Sequence, residues 1–242
     1  MIQINNIHKE FDGRVVLDGI SGTFQKGTTS MVIGGSGTGK SVLLKCMIGI
    51  LTPEKGEVLF DGRNMLTANQ EVVKEIRREM GVLFQGGALF DSKTVLENVR
   101  FPLDILTNQT LQEKNDRAMV CLQRVGLEQA AYRMPSEISG GMKKRVGIAR
   151  AIVMNPKYLF CDEPNSGLDP LTAVKIDLLI QEITEEFGIT TLVISHDMNS
   201  VMRMGQYIMF LKDGKKVWEG NNKNILEAKI PSLQEFLSTK LL

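Results

Sequence analysis

A chain of 242 residues with 43% hydrophobic and 24% charged residues can bury a large core and carry one subdomain on it. Its formal net charge of +1 gives no broad electrostatic footprint for nucleic acid, so no nucleic-acid partner is expected. Three cysteines, Cys46, Cys121 and Cys161, have no CxxC spacing, which argues against a disulfide framework and for buried free thiols in a reducing compartment.

The first elements are short β-rich runs at Ile2 to Ile7, Val15 to Leu17, Ile20 to Phe24 and Glu57 to Phe60, with Asp61-Gly62 as a turn. They predict a small antiparallel sheet beside the core. The opening residues lack the basic and apolar regions of a signal peptide, and no apolar run approaches the roughly 18 residues of a spanning helix. Continuous apolar runs at Ser30 to Ile33, Tyr158 to Cys161 and Thr191 to Ile194 predict strands of a parallel sheet covered on both faces. Another short strand is expected at Val82 to Phe84. Between Thr94 and Met154 the apolar residues adopt helical spacing, as at Leu111, Val120, Leu122 and Val125, which predicts an inserted helical subdomain over about 91–154. Tyr207 to Leu211 and Lys216 to Trp218, joined by Asp213-Gly214, read as a hairpin. The tail from Ile230 to Leu242 reads as an amphipathic helix.

Gly34-Gly35-Ser36-Gly37-Thr38-Gly39-Lys40-Ser41 fits GxxxxGK[ST], with a buried strand before it and a helix-compatible run, Val42 to Ile48, after it. The glycines let backbone N–H groups wrap phosphates, Lys40 supplies charge to them, and the Ser41 hydroxyl can ligate Mg²⁺. The strand Tyr158 to Cys161 ends in Asp162 and Glu163, of which the first can hold Mg²⁺ and the second can orient and deprotonate a water. These two elements suit a kinase or a GTPase equally well.

Ile138-Ser139-Gly140-Gly141-Met142, opening the basic run Lys143-Lys144-Arg145, is where the chain resembles the ABC ATPase family, which reads LSGGQ here. Ser139, Gly140 and Gly141 keep a small hydroxyl and bare amides at a helix N-terminus, able to meet a γ-phosphate. The resemblance covers nearly the whole chain. It implies an α/β fold: a RecA-like P-loop NTPase core with a parallel sheet, an antiparallel β subdomain and an inserted α-helical signature subdomain. As a single domain, the core and β subdomain would occupy 1–90 and 155–222, the helical subdomain 91–154 and a helical tail 223–242. It further implies that Phe11 stacks on adenine, that Gln85 touches Mg²⁺ together with Ser41 and Asp162, and that Ser166-Gly167-Leu168-Asp169 forms the D-loop, with Asn165 where many relatives carry threonine. His196 matches the switch histidine that bonds the γ-phosphate, whereas His8 reads as strand decoration. Lys40, Gln85, Glu163 and His196 would serve hydrolysis, and ATP and Mg²⁺ would be the ligands.

The same resemblance implies a head-to-tail homodimer that sandwiches ATP, bound peripherally to integral membrane permease subunits on the cytoplasmic face of a membrane. Phe84-Gln85-Gly86-Gly87-Ala88-Leu89-Phe90-Asp91-Ser92, the segment Thr94 to Leu103, the variant Ser139-Gly140-Gly141-Met142-Lys143-Lys144-Arg145 and the tail Ser232 to Leu237 are similar to the ATPases of MCE-type phospholipid transport systems. An MCE-domain substrate-binding protein is therefore an expected partner; a small-solute importer is the alternative, followed by a non-transport ABC ATPase. Gly86 to Asp91 and Val95 to Pro102 are expected to border a groove for a permease helix. Leu233, Phe236 and Leu237 could pack on the parent subunit or reach its neighbour.

Overall fold

The structure, a computed structural model, describes residues 1–241. In chain order its strands are β1 (Ile2–Phe11), β2 (Arg14–Phe24), β3 (Thr29–Ile33), β4 (Lys55–Phe60), β5 (Arg63–Asn64), β6 (Met80–Leu83), β7 (Tyr158–Asp162), β8 (Thr190–Ile194), β9 (Tyr207–Lys212) and β10 (Lys215–Gly220). The helices are α1 (Lys40–Met47), α2 (Gln70–Arg78), α3 (Val95–Leu106), α4 (Leu111–Arg124), α5 (Gly140–Ile152), α6 (Pro170–Phe187), α7 (Met198–Met204) and α8 (Pro231–Leu241). Among the described residues the strands form a four-stranded antiparallel sheet, order β2-β1-β4-β5, and a six-stranded sheet, order β10-β9-β3-β8-β7-β6. In the larger sheet β9, β3, β8, β7 and β6 run parallel.

Alternation along the parallel strands explains why they read as unbroken apolar runs. Met31 and Ile33, Leu159 and Cys161, Val193, and Ile208 and Phe210 point to one core, which they share with α3 to α8. Val32, Tyr158, Phe160, Leu192, Ile194, Met209 and Leu211 point to the other, shared with α1, α2 and the antiparallel sheet. A strand between two cores needs apolar residues on both faces, so no polar alternation survives.

The helical layer starts and stops on local chemistry. Thr94 with Glu97, and Thr110 with Glu113, form capping boxes at α3 and α4. Asp169 caps α6 through the Thr172 amide, Pro170 follows it, and Gly188 closes the helix in the left-handed conformation. Buried Asn98 on α3 folds the preceding loop: its Oδ1 accepts from the Phe90 amide at 2.7 Å, and its Nδ2 donates to the carbonyls of Phe90, Lys93 and Thr94 at 3.0 to 3.1 Å. One adjustment to the sequence expectations follows: Val15 to Leu17 and Ile20 to Phe24 belong to one strand, β2, whose pairing with β1 shifts register between them. The expected hairpin at 207–220 forms, and its first strand, β9, joins the main sheet beside β3.

The tail packs on its own subunit. Leu233, Phe236 and Leu237 are buried in the same core as β9, with the rings of Phe236 and Phe210 5.4 Å apart; Leu242, the last residue of the predicted tail, lies outside the described residues. Phe236→Ala is expected to destabilise the fold by about 3 kcal/mol, lowering the melting temperature by roughly 6–12 °C in a thermal melt. An unchanged melting temperature would mean that α8 is not docked here.

Candidate functional site

Register in the parallel sheet gathers the site. Val32 pairs with Ile194, and Ile194 with Asp162, so β3, β8 and β7 end in one row. The three loops leaving that row carry Gly34 to Ser41, His196, and Glu163. Ligands bind beyond the carboxyl ends of such strands.

The loop between β3 and α1 is a backbone cradle. Gly39, the residue before α1, has φ +98°, and a Cβ there would lie 2.8 Å from Leu17 Cδ2 and 2.9 Å from the Val16 carbonyl oxygen, so only glycine fits. Lys40, buried at the first turn of α1, donates from Nζ to the carbonyls of Gly34 at 2.9 Å and Gly35 at 2.7 Å. Thr38 closes the loop through its hydroxyl to the Gly35 carbonyl at 3.0 Å. Ser36 and Gly37 are exposed at the tip.

Asp162 lies under this loop. Burial pushes its carboxyl above the usual range, the Glu163 charge adds to that, and Lys45, the Ser41 hydroxyl and Lys40 oppose it. Its Oδ1 is buried with no hydrogen-bond partner among the described residues. An orphaned carboxylate oxygen beside a serine hydroxyl fits the donor set of a Mg²⁺ ion. No group of three or more His, Cys, Asp or Glu side chains able to hold a metal occurs among the described residues. An ion here would complete its shell from water and phosphate oxygens, which is the habit of Mg²⁺.

Glu163 follows in the left-handed region at φ 49°, uncommon for a residue with a side chain and typical of functional turns. Its Oε1 bonds His196 Nδ1 at 2.8 Å. If the ring donates from Nδ1, its Nε2 is left for a second hydrogen bond, as acceptor in the neutral ring and as donor in the imidazolium, and the second carboxylate oxygen remains for a water. Gln85 is exposed in the loop after β6, whose Leu83 pairs with Cys161, so it lies at the same edge of the sheet. Phe11 ends β1 with 42% of its surface exposed and Lys9 Nζ 5.1 Å from its ring centre, a rim position rather than a core one.

Ser139, Gly140, Gly141 and Asp169 gather elsewhere. Ser139 caps α5 by accepting from the Met142 amide at 3.3 Å, and the motif lines a hollow of about 350 Å³ with Gly167, Leu168 and Asp169. No residue of 34–41 lines that hollow. Gly141 is needed where α5 approaches α6, since a Cβ there would lie 2.7 Å from Thr172 Cγ2. A cavity of about 690 Å³ is at the opposite end of the sheet, around the starts of β7 and β8, and has none of the motif residues in its wall.

Sequence reasoning missed a buried polar node behind the site. Asp177 of α6, fully buried, accepts from Asn165 Nδ2 at 2.6 Å and pairs with Arg203 of α7; Asn165 Nδ2 also reaches Ser200 Oγ at 2.8 Å. Burial pushes the Asp177 carboxyl up, against Asn165, Ser200 and Arg203. The available signal was a carboxylate at a core position of the helical series Ala173, Ile176, Ile180, Ile183. The node ties the loop after Glu163 to the helix after His196.

Comparison with known proteins agrees with this geometry. The ABC transporter family profile matches residues 17–166. The intermembrane phospholipid transport ATP-binding protein MlaF of Haemophilus influenzae is 36% identical over 98% of this chain and 90% of its own length. The methionine import ATP-binding protein MetN 1 of Oceanobacillus iheyensis is 39% identical over 100% of this chain, which spans 72% of that protein. The probable ribonucleotide transport ATP-binding protein mkl of Mycobacterium tuberculosis is 37% identical over 98% of this chain, which spans 66% of that protein. The dimeric structure of MJ0796, a bacterial ABC transporter cassette, superimposes with a TM-score of 0.83 and 33% identity, covering 92% of this chain and 99% of that one. The chain belongs to the ABC transporter family and has the fold of its ATP-binding cassettes.

Replacing Asp177 by alanine strands Arg203 and Asn165 and is expected to cost about 3 kcal/mol, read as a lower urea midpoint at unchanged slope. A loss below about 1 kcal/mol would class the ion pair as a surface one.

Proposed function

We propose that this chain binds and hydrolyses Mg-ATP as the engine of a membrane transporter. The observation that carries the reading is the convergence of Lys40, Ser41, Asp162, Glu163 and His196 on one row of strand ends. Lys40 exchanges the Gly34 and Gly35 carbonyls for phosphate oxygens, and the amides of the 34–41 loop bind the remaining phosphate charge. Ser41 and Asp162, with Gln85 at the same edge, hold Mg²⁺, which supplies charge to the phosphates. Glu163, fixed by His196 through one oxygen, takes the proton of the attacking water on the other. As an imidazolium, His196 donates from Nδ1 to Glu163 and from Nε2 to the γ-phosphate, and Phe11 stacks on the adenine from the rim.

Ser139, Gly140, Gly141 and Asp169 serve a second copy of the chain. Their hollow holds none of the phosphate-binding loop, and they can meet a nucleotide only from across a head-to-tail dimer. MJ0796, with the same fold, has been solved as a dimer. ATP then joins the two copies, and hydrolysis loosens them. On the flank, Phe90 is 40% exposed with its ring 4.6 Å from that of Phe101, while Leu89 packs into the core beneath. This forms the apolar wall of a groove for a permease helix. No helix among the described residues is long and apolar enough to cross a membrane, and the membrane path belongs to those permease subunits.

The cargo reading is phospholipid, with an MCE-domain protein in the complex. It is supported by the run Phe84 to Ser92, by the variant Ser139 to Arg145, and by the likeness to MlaF over nearly the full chain. Import of a small solute is the second reading, favoured by the similar identity to MetN 1.

Glu163→Gln is expected to lower the rate constant for hydrolysis by at least about a hundredfold, the contribution of a positioned general base. The same variant is expected to elute as a dimer in Mg-ATP. Normal turnover in this variant would remove Glu163 from the role. Membranes from the native host, solubilised around this trapped variant, should yield a permease with an MCE-domain protein and phospholipid. A permease arriving with a soluble amino-acid receptor would replace the lipid reading with the importer.

A further inference from the structure

The proposed chemistry makes no use of the buried charge of Lys144. The run Lys143-Lys144-Arg145 reads in the sequence as a basic helix face, yet Lys144 is only 4% exposed. Burial pushes its ammonium down, while the Glu163 and Asp162 carboxylates oppose that shift. A cation in this position is costly unless it is hydrogen-bonded to something that needs it.

Its partner is the backbone of the proposed base. Lys144 Nζ donates to the main-chain carbonyl of Glu163 at 3.2 Å. The same carbonyl accepts from the Ser166 amide at 3.2 Å, and the Glu163 amide donates to the Ile194 carbonyl at 2.9 Å. Three elements therefore fix the peptide of a residue held at φ 49°: β8, the loop leading to α6, and α5. Of these only α5 is capped by Ser139, about one turn before Lys144. A residue in the left-handed region persists only where its surroundings over-determine it, and the lysine is the contact that reaches in from the helical layer.

We propose that Lys144 is a positioning residue which, from the helix that presents Ser139, grips the Glu163 carbonyl and sets the carboxylate for hydrolysis only while that helix is docked. The inference rests on Glu163 being the base. One helix then serves two nucleotides, offering Ser139 to the site completed by the partner copy and Lys144 to the glutamate of its own subunit. A shift of α5 on losing the γ-phosphate at one site would loosen the base at the other, a coupling carried by one rigid element.

The test compares Lys144→Met, which keeps the aliphatic stem and removes the ammonium, with Lys144→Arg, which keeps a charged donor. Both are made in the full chain. Lys144→Met is expected to lower kcat by about tenfold or more, the loss that goes with one charge-assisted hydrogen bond. KM for ATP should stay within about twofold and the melting temperature should not fall, since the swap conserves volume. Lys144→Arg should recover most of kcat. In a Glu163→Gln background, adding Lys144→Met should leave the ATP-dependent dimer as stable as in the single variant, because the effect passes through Glu163. Unchanged kcat in Lys144→Met overturns the proposal. So does loss of the ATP-dependent dimer, which would make Lys144 a packing residue of α5. If Glu163→Gln alone hydrolyses ATP normally, the reading of Glu163 fails first and independently of anything seen at Lys144.

Discussion

The site depends on the register of the parallel ladder. Val32, Ile194 and Asp162 share a row, and each strand releases its loop within two residues of it. A slip of one residue in β7 would turn Asp162 and Glu163 to opposite faces and exchange the two core-facing sets along the strand. Leu159 and Cys161 on one side, with Tyr158 and Phe160 on the other, make that slip costly because both faces are covered. The apolar packing that stabilises the sheet therefore also aligns the groups proposed to contact the nucleotide.

Strain and buried charge collect at the end of β7. Asp162 has an orphaned oxygen, Glu163 has left-handed backbone, Lys144 is a desolvated cation, and Asp177 is a fully buried carboxylate one layer behind. Each is unfavourable alone and is offset by its neighbours: Ser41 for Asp162, Ile194 and Ser166 for Glu163, the Glu163 carbonyl for Lys144, and Asn165 with Arg203 for Asp177. Residues 163–169 are thereby tied to α5, α6 and α7 together. In the proposed site a change at the γ-phosphate would be felt first by Glu163 and His196, and it has physical routes into the helical layer and towards the hollow at Ser139.

Much of this was legible in the sequence. The runs at Ser30, Tyr158 and Thr191 predict strands covered on both faces because each alternating set is apolar, and the motifs at Gly34, Asp162 and His196 sit where those strands end. Other features depend on tertiary contacts with no local signature. Helix α2 is not one of these: Val72, Val73 and Ile76 stand at helical spacing within a charged stretch, a signature that sequence reasoning missed. Lys144 stands between two other cations and is indistinguishable from a solvated charge until α5 is laid against β7. The tail pattern at Leu233, Phe236 and Leu237 shows an apolar face but not which surface covers it, and Phe210 decides that.

The most direct test of the central claim, that this row of strand ends is a Mg-ATP site built around Lys40, is calorimetric titration of ATP into the chain with and without Mg²⁺, alongside Lys40→Met. The account predicts one ATP per chain, weaker binding when Mg²⁺ is chelated, and loss of binding in Lys40→Met with the melting temperature retained. Binding that is undiminished in Lys40→Met, or indifferent to Mg²⁺, would contradict it.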